Sequence, residues 1–234
     1  MKNYGLLPKV EDPRDIVVGQ AFTLPKTFPP TFEIPIPDEW VMNQEQSSAC
    51  AGFATALASS TQEGVLLDPL FTWVMARTSE GMKPDDFGIA LKPMLSAHKK
   101  VGAIKKEDAQ HTVNEPQEIY ADITNYGVSS LVKKSVYHIK GSYVWIEPFD
   151  GDMFDTIKKC LWKFKTPIVI GLKWAYNEVK IDKWVEGGSG HAITVVGYDE
   201  KYLKIINSYG LSSGDKGRHY LSREVINKDV PTFG

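Results

Sequence analysis

Three residues far apart in the chain, Cys50, His191 and Asn207, have the types and settings of one nucleophilic site. A thiol attacks carbonyl carbon only as thiolate, so a reactive cysteine needs a feature that favours deprotonation. Cys50 lies in ACAGFATALASSTQ, a run of small residues and good helix formers. That run predicts a helix from Ala49 to about Gln62, with Ser47 or Ser48 as N-cap. In its first turn, unpaired backbone N–H groups and the helix dipole favour negative charge by up to ~2 kcal/mol. On position alone, Cys50 reads more readily as a small buried hydrophobe, as many free cysteines do.

His191 changes that reading. It follows GGSG and opens the alternating run HAITVVGY, which places it at the mouth of a strand behind permissive glycine backbone. His98, His111, His138 and His219 have no comparable glycine flank. The strands His191–Tyr198 and Tyr202–Ile206 predict a hairpin around Asp199-Glu200-Lys201. A turn centred on Glu200 sets His191 opposite Tyr209, with Asn207 its diagonal neighbour on the same face. An asparagine oxygen accepting from one ring N–H fixes the tautomer and aims the other nitrogen at the thiol. A register shifted by one residue would send Asn207 to the other face. Upstream, the backbone N–H of Cys50 and the side-chain amide of Gln44 are candidate donors to a tetrahedral oxyanion, with Gln46 the competing amide.

Composition narrows the alternatives. The 234 residues are 42% hydrophobic and 24% charged, enough apolar material for one large domain or two joined lobes. Net charge is −2, and the lysine pairs lie among acidic and apolar residues, so neither nucleic acid nor an anionic membrane is an expected partner. No apolar run approaches the ~20 residues of a membrane helix, and the N-terminus lacks the apolar core of a signal peptide. Two cysteines exclude a cysteine metal cluster and a disulfide framework, which makes a reducing cytoplasm the expected location. Cys160 falls beside an apolar helix face and reads as structural. GGSGH misses the G-x-S-x-G elbow, and Gly188-Ser189-Gly190 lacks the rest of a dinucleotide fingerprint.

The elements that must position these residues form helices first and strands later. Residues 1–40, rich in proline, predict an extended arm with at most short edge strands, regular structure beginning near Ser47. Further helices are expected over Pro69–Ser79 capped by Asp68, between Gly88 and Lys100 with Pro93 near the start, and over Glu115–Tyr126, the last between Asn114 and Gly127. A fifth spans Asp152–Phe164. Strands are expected over Ser135–Ile146, Pro167–Trp174 and Arg218–Ser222 as well as the hairpin. This order predicts an α+β chain with a helical lobe (roughly 41–127), a β lobe (roughly 128–234) and a cleft between them.

Two segments carry a family resemblance. NQEQSSACAGFA (Asn43–Ala54) resembles the active-site cysteine segment of papain and the cathepsins, where a glutamine precedes the nucleophile by six residues. GGSGHAITVVGYDEKYLKIINSYG (Gly187–Gly210) resembles that family's histidine strand and Asn-Ser-Trp-Gly motif. The separation of His191 from Cys50 falls inside the family's range, and that of Asn207 slightly beyond it. The resemblance implies a two-lobed papain-like fold, helical lobe against antiparallel β lobe, and hydrolysis of a peptide or protein substrate through an acyl-enzyme without metal or organic cofactor. It also implies that Gly88 pairs its backbone with an extended substrate. Ile89, Ala90 and Ala192 would then border a substrate pocket, with Gly190 and Tyr209 also along the groove.

The chain departs from the family pattern in places. Ser47 stands where a disulfide-forming cysteine is usual, Ala51 replaces an aromatic residue, and Tyr209 replaces the tryptophan that shields the His–Asn pair. No helical pro-segment is expected before the domain, and the arm is expected to pack along the lobes rather than across the cleft. Two rival functions share the scaffold: an amidase or acyl transferase, and a binding protein that has lost turnover. Oligomeric state is not encoded in any of these features.

Overall fold

A computed structural model of the chain describes residues 5–83, 86–109 and 128–233. Helices α1 (Val18–Ala21), α2 (Cys50–Glu63), α3 (Pro69–Ser79) and α4 (Leu91–Lys100) precede α5 (Val128–Lys134) and α6 (Met153–Phe164), and α7 (Arg223–Phe233) closes the chain. Strands β1 (Phe32–Glu33), β2 (Ile168–Trp174), β3 (Lys180–Ile181), β4 (Ser189–Tyr198), β5 (Tyr202–Ile206) and β6 (Arg218–Ser222) form one sheet. Its order is β1-β4-β5-β6-β3, with β2 also on β4. All pairings are antiparallel except β3 with β6.

Local chemistry accounts for the helix ends. The Asp68 carboxylate accepts from the N–H groups of Leu70 and Phe71, and Pro69 occupies a first-turn position where no donor is needed. Asp152 caps α6 through Asp155 N–H, and Lys165 leaves it in the left-handed conformation. α2 corrects the expected cap: Ala49 holds that position without a side-chain hydrogen bond. Ser47 Oγ instead donates to Gln44 O, and Ser48 Oγ accepts from Gly88 N–H. Both hydroxyls tie loops together rather than closing the helix.

Two apolar clusters organise the lobes. In one, Phe154, Ile157 and Leu161 of α6 and Val225 and Ile226 of α7 cover Ile170, Leu172, Val195, Leu203 and Ile205 of the sheet. In the other, Phe53 of α2, Leu70, Phe71 and Trp73 of α3, and Leu91 and Met94 of α4 pack with Leu6, Cys50 and Ala192. Burying each large side chain contributes about 1.5–3 kcal/mol. Thr194 Oγ1 of β4 donates to Ala54 O of α2, joining sheet to helix.

Other expectations are corrected. Ser135–Ile146 forms no strand; Tyr137 pairs with Ala103 and Trp145 with Val17, each as a single bridge, and the left-handed Gly141 turns the chain between them. α4 falls between Gly88 and Lys100 as expected, starting at Leu91 because Gly88 is left-handed and Ala90 extended. α1, α5 and α7 were not anticipated. The helix expected over 115–126 lies outside the described residues.

The arm uses both lobes. β1 adds Phe32 and Glu33 to the edge of β4, with Gly197 leaving no room for a Cβ against Phe32 O. Val18 N–H donates to Trp145 O and Trp145 N–H to Ile16 O. Lys92 of α4 bridges Asp12 and Asp15 at 2.6 Å each.

Candidate active site

The β4–β5 hairpin delivers the first pair of site residues. Asp199 Oδ1 accepts from Lys201 and Tyr202 N–H, closing a turn one residue longer than the one expected about Glu200. Next to the turn, Tyr198 faces Leu203 and Gly197 faces Lys204. Beyond it, Val195 faces Ile205 and Thr194 faces Ile206, so Val196 is an extra residue on β4. Such a bulge resets register by one. Without it, Ser208 rather than Asn207 would be the diagonal neighbour of His191. With it, His191 Nε2 lies 2.8 Å from Asn207 Oδ1, which also accepts from Ser208 N–H. The carboxamide oxygen can only accept, so Nε2 carries the proton and Nδ1 of the neutral ring is the basic nitrogen.

Aromatic rings cover this pair. Tyr209 stacks on the imidazole, centroids 5.1 Å apart and planes within 7°. Trp174, which the sequence reading did not single out, meets the same ring at 5.7 Å and 61°. Its place follows from register: Leu172 on β2 pairs with His191, and Trp174 lies two residues further along the same face. Both His191 and Asn207 are buried. Of the glycines before His191, Gly188 serves this packing, since a Cβ on this left-handed residue would meet Trp174 O at 2.6 Å.

Met42–Gln44 runs antiparallel to Ser208–Gly210: Gly210 N–H donates to Met42 O, Gln44 N–H to Ser208 O, and Asn43 bridges Tyr209. Gln44 is fully buried; its Oε1 accepts from Ser208 Oγ and its Nε2 donates to Ser47 O at 2.8 Å. Gln46 is exposed. Of the two amides, Gln44 is the one locked against the Asn207 segment. Ser47 holds the same loop by its hydrogen bond to Gln44 O.

Cys50 is the first residue of α2, and its thiol lies against the backbone amides of Ala192 and Gly5. It is fully buried. Burial pushes its pKa up to about 11, against the opposing pull of the Ala192, Gly5, Ala51 and Cys50 amides. The helix N-terminus was expected to favour the thiolate; desolvation beneath the arm outweighs it here. Cys160, buried in α6, is pushed up to about 12.

The rim of the groove corrects one further expectation. Gly88 does not offer its backbone outward: its N–H donates to Ser48 Oγ and its carbonyl accepts from Arg77. Ile89 does the pairing, its N–H donating to Gly5 O (2.8 Å) and its carbonyl accepting from Leu7 N–H (3.2 Å). Across the groove, Leu6 N–H donates to Gly190 O at 2.9 Å. The expected packing of the arm along the lobes alone is thereby overturned. Leu6, Ile89 and Ala192 share one apolar cluster, and Ala90 lies half-buried beside them. Arg77, a buried α3 residue missed in the sequence, also binds Lys83 O and Asp86 O and lies 4.6 Å above the Trp73 ring, shaping the loop that presents Ile89.

A helix bearing a cysteine at its first turn, packed against a curled sheet bearing a histidine–asparagine pair, is the papain-like two-lobed α+β fold. Solved structures share it. Xylellain, a cysteine protease from Xylella fastidiosa, superposes with a TM-score of 0.80 at 22% identity, over 97% of this chain and 92% of that one. The cysteine protease and lectin-like domains of Cwp84 from Clostridium difficile give 0.71 at 13% identity, over 99% and 54%. The Carica candamarcensis cysteine protease CMS1MS2 gives 0.58 at 17%, over 86% and 96%. No protein-family model and no curated protein matches the chain. Among the described residues no helix is long and apolar enough to cross a membrane.

Proposed function

We propose that this protein is a cysteine peptidase acting on peptide or protein substrates through an acyl-enzyme. The observation that carries the reading is the 2.8 Å bond between His191 Nε2 and Asn207 Oδ1, buried beneath Tyr209 and beside the strand position against which the Cys50 thiol lies. Asn207 holds the ring in the tautomer whose Nδ1 takes the thiol proton. The Cys50 thiolate then attacks the peptide carbonyl carbon, and the carbonyl π electrons move to oxygen. The Cys50 N–H and Gln44 Nε2 are the proposed donors to that oxyanion. Collapse expels the amine, which takes its proton from the imidazolium. Water, deprotonated by the same ring, releases the acid and restores the thiol.

Gly190, Ile89, Ala90, Ala192 and Tyr209 line the groove in which the substrate is proposed to lie, with Ile89 rather than Gly88 as the backbone partner. The two unpaired thiols suit a reducing compartment such as the cytoplasm. Hydrolysis of a panel of fluorogenic peptides by the full chain and by Cys50→Ala tests the reading. Turnover that vanishes in the variant is expected; turnover unchanged in it, or absent from a chain with an accessible thiol, overturns it.

A further inference from the structure

A cavity of about 370 Å³ is walled by elements of both lobes. α2 and α4 line it with Ala58 and Leu91, α6 with Ile157 and Phe164, and β2 with Ile168 and Ile170. No residue of the candidate active site or of its rim borders it. It opens where lining residues reach solvent, at Lys140 and at Phe22 and Phe164, whose rings meet edge to face at 5.1 Å. Among the described residues, Lys140 and Glu63 are its charged side chains, and they pair with each other at 3.2 Å. His98 on the wall gives its Nε2 proton to Tyr137 O at 3.0 Å, and burial keeps the ring neutral. Two polar atoms on the wall have no partner in the protein: Thr55 Oγ1 and Trp145 Nε1, on residues only 2% and 6% exposed. Ser60 and Thr61 of the same helix donate to carbonyls four residues back, at Ala56 and Leu57, as helical hydroxyls ordinarily do. Thr55 does not. A buried indole N–H can only donate, and leaving it unpaired is costly.

We propose that this cavity is a binding site for an uncharged, mostly apolar molecule of two-ring size that carries a hydrogen-bond-accepting oxygen. Volume sets the size: an apolar cavity of about 150 Å³ takes up benzene, and this one has more than twice that room. The wall sets the chemistry. Its aliphatic and aromatic side chains cover an apolar body, and a few convergent polar groups fix its orientation, as in other small-molecule sites. Trp145 N–H and the Thr55 hydroxyl are the donors that an oxygen on that body would satisfy. A carboxylate gains nothing here, because Lys140 already has its counter-ion in Glu63. The site does not depend on the peptidase reading. A molecule held by both lobes binds the folded chain alone and therefore stabilises it.

The test uses the full chain and Prodan, a neutral naphthalene that carries a propionyl ketone and a dimethylamino group. Its fluorescence should shift to shorter wavelength and saturate at one molecule per chain, and the melting temperature should rise with its concentration. Absence of both effects overturns the site. Ala58→Phe and Val169→Phe fill the cavity from α2 and from β2. In a filled variant with native circular dichroism, affinity should fall about tenfold or more, as blocking the binding volume requires. Undiminished affinity there puts Prodan on exposed rings such as Phe149 and also overturns the site. Thr55→Val and Trp145→Phe change the volume little and remove one polar atom each. At least one should weaken Prodan about threefold, the worth of a single hydrogen bond, while binding of ketone-free dimethylaminonaphthalene stays unchanged. Full Prodan affinity in both variants overturns the assigned oxygen. Decanoate should leave Prodan in place; displacement by it overturns the uncharged class.

Discussion

At the residue scale, the site combines a cysteine whose ionisation the closed groove suppresses with a histidine oriented by a single oxygen. Asn207→Ala removes that acceptor while leaving Tyr209 and Trp174 over the ring, so kcat/KM is expected to fall about 100-fold, within the range of general acid–base contributions. Asn207→Asp keeps an acceptor oxygen and should recover part of the loss with an altered pH profile; equal loss in both would show that the oxygen is not what matters. The Cys50 thiol has its own signature. Its folded pKa, about 11, lies above the ordinary 9.0, so the unfolded chain loses this proton first as pH rises. Its contribution is fully present below pH 9 and is lost between pH 9 and 11, about 3 kcal/mol for a two-unit difference. Denaturant melts across that window should show the decline, and Cys50→Ala should remove this part of it.

At the scale of elements, the β-bulge at Val196 is the feature on which the His191–Asn207 pair depends. Inserting one alanine between Val195 and Val196, with Val196 still bulged, should leave far-UV circular dichroism close to native yet abolish hydrolysis, because Ser208 then takes the position of Asn207. Retained activity would place the register elsewhere. The place of this hairpin was legible from alternation and turn chemistry; its turn is one residue longer than expected, and the bulge offsets that residue to give the expected register at the site. The bulge was not, since an extra residue inside an unbroken apolar run has no mark of its own. The same limit applies to Ser135–Ile146, where β-rich composition met partners only at single bridges, to Ala103 and to Val17. α4 brings a second titratable group. His98 is buried with Nε2 3.0 Å from Tyr137 O, and burial lowers its pKa to about 4 from 6.5. The unfolded chain therefore binds this proton first on acidification. The contribution is present above pH 6.5 and lost as pH falls to 4, about 3 kcal/mol. Thermal melts of the chain and of His98→Gln, compared at pH 4.5 and 7, should show a smaller acid loss in the variant.

At the scale of the whole molecule, the arm joins the two lobes and closes the groove between them. Proline density marked residues 1–40 as extended; among the described ones the named strand is the edge pair Phe32–Glu33, and the helix α1 interrupts the arm. It could not indicate where the extended backbone would dock, because an unpaired strand takes any edge with matching donors and acceptors. Lys92 tethers Asp12 and Asp15 at 2.6 Å each. Lys92→Ala should lower stability to denaturant by about 1 kcal/mol or less, as part-exposed ion pairs do, and a larger loss would give the tether the principal part in docking the arm.

The sequence alone determined what nearby residues settle among themselves: the helix that carries the cysteine in its first turn, the Asp68 cap, and the hairpin with His191 and Asn207 on a common face. These follow from capping, periodicity and turn preference, which act over a few residues. Tertiary structure decided the rest. It placed Trp174 over the imidazole, set Arg77 to hold the loop before Ile89, and laid Gly5–Leu7 between Ile89 and Gly190. Each of those is a contact between segments distant in the chain, chosen by which backbone groups and apolar surfaces remain unsatisfied once the lobes have packed.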